Sequence, residues 1–106
     1  MLLNARDRIE LMQLLPAESD VLTLRLVREL RTRFGFTEEE IAVLEIKRDG
    51  NQIVWKASAD EPKEIEIGDA AAGVIRDALK KLSDAKKMKI EQVELYDRFM
   101  QDKGDK

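Results

Sequence analysis

Apolar positions in this chain keep helical spacing towards both ends and change to simple alternation in the middle. Leu3, Ile9, Leu11, Met12, Leu14 and Leu15 recur at helical spacing, and Pro16 cannot continue a helix, so a first helix is expected over about 4–15. After the loop "PAESD", Ser19, Asp20 and Thr23 are each good N-caps. A second helix starting near one of them runs to Phe34, with Gly35 as a left-handed stop. Its expected inward face is Leu22, Leu26, Val27, Leu30 and Phe34. Thr37 and Glu40 then have capping-box spacing, and Phe36 is placed to pack on Ile41 as a hydrophobic staple, which starts a short third helix over about 37–43.

Beyond that helix the period falls from 3.6 to 2. Leu44 and Ile46 alternate with Glu45 and Lys47, and after "DGNQ" Ile53 and Trp55 alternate with Val54 and Lys56, which is a β-hairpin pattern. A two-residue Asp49-Gly50 turn sets Ile46 opposite Ile53 and Leu44 opposite Trp55. A turn centred one residue later keeps the same residues on the same face. "EIEIG" supplies a third short strand with Ile65 and Ile67 inward, completing a three-stranded antiparallel β-meander. Gly68 and Asp69 open the clearest helix, whose stripe of Ala71, Val74, Ile75, Ala78, Leu79 and Leu82 is expected to cover the sheet. A final helix over about 89–101 turns Val93, Tyr96, Phe99 and Met100 inward, and 102–106 form a flexible tail. The order of two to three N-terminal helices, meander and two C-terminal helices predicts one α+β domain over 1–101.

Composition narrows the chemistry. Charged residues make up 39% of the chain against 43% hydrophobic, so the outer helix faces are almost wholly ionised. Cysteine and histidine are both absent, which removes disulfides, thiolate sites, the commonest general base and the commonest transition-metal ligand. Arg6, Asp7 and Arg8 interrupt the first apolar stretch, and no run approaches the ~20 residues of a membrane span, so the expected setting is cytoplasmic.

Two basic groups are the candidate interaction surface. Arg25, Arg28 and Arg31 step three apart along the second helix and, with "TRFGFTEEE" after them, have the outline of a helix-turn-helix. Glu38, Glu39 and Glu40 stand where a recognition helix would meet phosphates, and the net charge is −3, so a solvated face, partly neutralised by Glu29 four residues after Arg25, is the plainer reading. Lys80, Lys81, Lys86, Lys87 and Lys89 bracket "SDAKKMK", where they favour a helix C-terminus or meet an acidic patch on a partner. Acidic stretches at 37–45 and 60–69 make complementary self-association a further option.

Neither Glu38-Glu39-Glu40 nor Glu64 with Glu66 has a spaced third ligand, and "GDAAAG" matches no phosphate-binding loop, so no catalytic, metal or cofactor residue is expected. Gly73 reads instead as a point of close approach, and Trp55 as a core residue between sheet and helix.

The stretches "TLRLVRELRTRFGFTEEEI", "IVWK" and "EIEIGDAAAGVIRDALKKL" resemble, in order and spacing, short uncharacterised proteins of bacteriophages and prophages. That resemblance implies a small phage-type protein working in the host cytoplasm by binding a protein, and it brings no functional residues with it. The combined expectation is a non-catalytic interaction or regulatory module. Arg25, Arg28, Arg31, Lys80, Lys81 and Lys87 are its candidate contacts, and a homodimer through helix 69–83 and the last helix is its expected assembly. The alternative is a nucleic-acid-binding accessory protein using the arginine stripe.

Overall fold

Asn4 starts the first helix by a reciprocal cap. Its side chain accepts from the Asp7 N–H at 2.8 Å, and the Asp7 carboxylate accepts from the Asn4 N–H at 3.2 Å. The computed structural model describes residues 1–104 and has an α+β architecture. Helix α1 spans Ala5–Leu14 and α2 spans Val21–Phe34, the latter capped by Asp20, which accepts from the Thr23 N–H at 2.7 Å. That bond holds the Asp20 carboxyl below its usual range.

Gly35 is not the left-handed stop expected of it. Its φ is −66°, and α2 ends where the Arg8 guanidinium takes the carbonyls of Phe34 and Gly35. Val27, Leu30 and Phe34 are buried as expected, but Leu22 is 73% exposed. At about 100° per residue, Leu22 lies more than a quarter-turn from the line through the other three.

Helix α3, Glu38–Leu44, has its predicted capping box: Thr37 accepts from the Glu40 N–H at 3.1 Å, and Glu40 accepts from the Thr37 N–H at 2.9 Å. It runs one residue further than the alternation suggested. Glu45 adopts φ 53° and the Ile46 N–H bonds back to the Ile41 carbonyl at 3.2 Å, so Leu44 is a buried helix residue rather than a strand residue.

Strands β2, Lys47–Asp49, and β3, Gln52–Val54, form the hairpin, with Arg48 opposite Ile53. The turn is Gly50-Asn51, one residue later than Asp49-Gly50, and Gly50 supplies the positive φ of 65°. The face survived this shift: Ile46, Ile53 and Trp55 are half-buried while Lys47, Asp49, Gln52 and Val54 are exposed. Trp55 stays outside the hydrophobic core.

The meander does not form. Strand β4, Lys63–Glu64, pairs with β1, Leu2–Leu3, giving two separate two-stranded antiparallel sheets. A 3-10 turn at Ala57–Ala59 leads the chain away from the hairpin, and Asp60 then accepts from the Ala5 N–H at 2.7 Å, delivering β4 to the start of α1.

Helix α4, Asp69–Asp84, therefore packs chiefly on other helices rather than roofing a meander. Ala71, Ile75 and Leu79 share one core with Leu11 and Leu15 of the α1 region, Val27, Leu30 and Phe34 of α2, and Leu95 and Phe99 of α5. Helix α5, Val93–Gly104, follows a 3-10 turn at Ile90–Gln92. Phe99 is buried as expected, whereas Val93 is exposed and the unanticipated Leu95 takes the inward position: Leu95 stands one turn before Phe99, while Val93 lies about 120° from it around the axis. The tail expected over 102–106 falls partly on α5; its last two residues, 105–106, lie outside the described residues.

Candidate functional site

Arg8 is the buried ionised side chain that organises the polar side of the molecule. It is 3% exposed on the inward face of α1, beside Ala5, Met12 and Leu15 in the apolar stripe. Its Nε donates to the Phe34 carbonyl at 3.1 Å, one terminal nitrogen donates to the Gly35 carbonyl, and both terminal nitrogens reach the Glu40 carboxylate, at 2.9 and 3.2 Å. Its guanidinium carbon lies 4.0 Å from the centroid of the Phe36 ring. All of these partners belong to the α2–α3 junction, so one side chain fixes the direction in which α3 leaves α2.

Glu40 answers with three contacts of its own. It holds Arg8, caps α3 through the Thr37 N–H, and lies 3.6 Å from the Lys63 ammonium. The hydrogen bond from Arg8 is the main reason its carboxyl is lowered to about 2; burial opposes this, and the Thr37 N–H and the charges of Arg8 and Lys63 add to it. Sequence reading placed Arg8 among charges that merely interrupt an apolar stretch. A cation standing three residues after Ala5 and four before Met12, within the apolar line of an amphipathic helix, was the signal for a buried guanidinium seeking a carboxylate.

The arginine stripe lies where the sequence put it, on the solvent side of α2. Arg25, Arg28 and Arg31 are all exposed, and none takes part in a salt bridge among the described residues. The neutralisation of Arg25 expected from Glu29 is absent, because Glu29 turns to Arg33 at 3.4 Å, while Arg33 also donates to the Glu66 carbonyl at 3.2 Å. Each arginine is displaced about 60° around the axis from the one before it, so the three fan across the outer face. Val21 and Leu22, 63% and 73% exposed, complete that face at its N-terminal end.

The lysines are not one cluster. Lys80 borders an open groove with Arg76, Tyr96 and Met100 between α4 and α5, whereas Lys81 borders a different groove, about 400 Å³, with Leu14, Pro16, Val74 and Leu82. Lys87 lies past the end of α4, its N–H bonded to the Leu82 carbonyl at 2.9 Å beside a left-handed Lys86 of φ 58°. Thr23 lines the Lys81 groove, and Arg33 lines a third groove with Gly68 and Asp69. Helices α2 and α4 thus run antiparallel, and Arg31 and Lys81 sit at opposite ends of the pair. Gly73 is no point of close approach, since a methyl group added there meets open space.

Opposite in character is the outer face of α3. Glu38 and Glu39 are exposed and outside any salt bridge among the described residues, and Val43, one turn after Glu39, is 64% exposed. Among the described residues, no helix is long and apolar enough to cross a membrane, and no group of three or more acidic, histidine or cysteine side chains gathers as a metal cage. No family model, curated protein or solved structure matches the chain.

Proposed function

We propose that this protein is a small interaction or regulatory module of phage type, working in the cytoplasm without catalysis of its own, which binds a partner protein through the outer face of α2. The observation that carries this reading is the pairing of exposed Val21 and Leu22 with the cations Arg25 and Arg28, outside any salt bridge among the described residues, on one helical surface. Exposed branched aliphatics beside arginine make a contact surface in which apolar burial supplies affinity and the guanidinium forks supply direction. The chemistry such a face recognises is an acidic segment that carries its own apolar side chains.

A photoreactive residue in place of Leu22, activated in the producing cell, tests the reading. A protein adduct is expected, and it should disappear when Arg25 and Arg28 are both changed to Glu. An adduct that survives this reversal would refute the proposal. The same variant separates the nucleic-acid alternative, favoured by the absence of salt bridges on Arg25, Arg28 and Arg31 among the described residues: a salt-dependent gel shift abolished by the reversal would move the assignment to that class.

A further inference from the structure

Two surfaces of this chain answer one another. One end of α2 offers Val21, Leu22, Arg25 and Arg28; beyond its other end, α3 offers Glu38, Glu39 and Val43. Both carry exposed aliphatic groups, and both carry charges outside any salt bridge among the described residues, of opposite sign. They do not meet within one molecule, because only Gly35, Phe36 and Thr37 separate α3 from the C-terminal end of α2, while Val21 stands at the other end of that 14-residue helix. At about 1.5 Å per residue that helix is roughly 20 Å long. The Arg8 clamp fixes this separation by bonding to Phe34, Gly35 and Glu40 at once.

Resting on the reading that the α2 face binds an acidic apolar segment, we infer that the segment is α3 of a second copy of this chain. Complementary charge identifies the occupant. When two copies set their α2 helices antiparallel, each brings its α3 to the Val21 and Leu22 end of the other, so the contact occurs twice about a two-fold axis and closes as a dimer. Glu38 and Glu39 neutralise Arg25 and Arg28 across the interface, and Val43 meets Leu22. Arg8 acts at a distance, as a positioning residue that keeps α3 aimed outward.

Sedimentation of the full chain over a range of concentrations and salt tests the inference through a charge exchange. Arg25→Glu with Arg28→Glu, and separately Glu38→Lys with Glu39→Lys, should each weaken self-association by about tenfold or more. An equimolar mixture of the two variants should recover wild-type affinity as a heterodimer, and the wild-type affinity should fall with added salt. Because reversing Glu38 and Glu39 also disturbs the start of α3, Val43→Asp provides a second variant at an exposed site, expected to weaken the dimer with an unchanged circular dichroism spectrum. A wild-type chain that stays monomeric, or a mixture that associates no better than either variant alone, would overturn the inference. Should the photoreactive Leu22 variant capture a different protein from a monomeric chain, this inference falls while the binding role of the α2 face stands.

Discussion

The four longer helices and the segment from Phe36 to Glu61 are held in place by different forces. Leu30, Phe34, Ile75, Leu79 and Phe99 of the helical body are each at most 1% exposed, so the body rests on apolar surface removed from water. The segment carrying α3 and the hairpin adds only Leu44 to the buried apolar set, and Ile46, Ile53 and Trp55 are merely half-covered. Directed contacts attach it: the guanidinium of Arg8 and the carboxylates of Glu40 and Asp60, while a backbone bond from the Lys56 N–H to the Leu44 carbonyl at 2.7 Å ties the hairpin to α3 within it. A packed core resists almost any local change in shape, whereas an arm attached by a few polar contacts can open while the body stays folded.

The contrast is broken most severely in the body. Phe99→Ala should cost about 4 kcal/mol in denaturant unfolding, while Trp55→Ala on the hairpin should cost about 1 kcal/mol; equal losses would show that the two regions share one core. Next comes the clamp. Arg8→Met leaves the Phe34 and Gly35 carbonyls and the Glu40 carboxylate without their partner, at about 3 kcal/mol. Hydrogen exchange should then show amides of 38–54 losing protection well before those of α4; uniform loss would contradict a separable arm.

Acid probes the same attachment more gently. The Glu40 carboxyl is lowered to about 2 in the folded protein from an ordinary value of 4.5, so its contribution is fully present above pH 4.5 and is lost as pH falls towards 2. Fluorescence of Trp55 should change over that window before the helical circular dichroism signal does, and Glu40→Gln should flatten the early change. The smallest effect belongs to the body. Gly73→Ala, in the interior of α4 with free space for a methyl group, should stabilise the protein by about 0.5–1 kcal/mol, read as a higher melting temperature.

These two regions were also unequally legible in the sequence. Helices whose caps are local could be read directly, because Asp20 and Thr37 act on backbone groups three residues away. The apolar face of the hairpin was legible for a similar reason, since parity survives a one-residue error in the turn. The partner of "EIEIG" was not. A two-residue strand such as Leu2–Leu3 has no alternation to detect, and its pairing to Lys63–Glu64 is fixed by tertiary contacts that no local window contains. Arg8 was hidden because arginine is so often solvated. On the candidate surface, the exposure of Arg25, Arg28 and Arg31 was legible from spacing, but the diversion of Glu29 to Arg33 and the separation of Lys80 from Lys81 depend on how α2 and α4 lie against their neighbours.

The pairing of β1 with β4 also bears on how the chain is made. Leu2 leaves the ribosome some sixty residues ahead of Glu64, a gap on the order of several seconds at ordinary elongation rates. Arg98, which donates to the Leu2 carbonyl at 2.5 Å and to Asp7 at 3.1 Å, emerges later still. Until Glu64 has been synthesised, the nascent α1 has no strand beside it and no clasp from α5, and its apolar residues have only those of α2 to pack against.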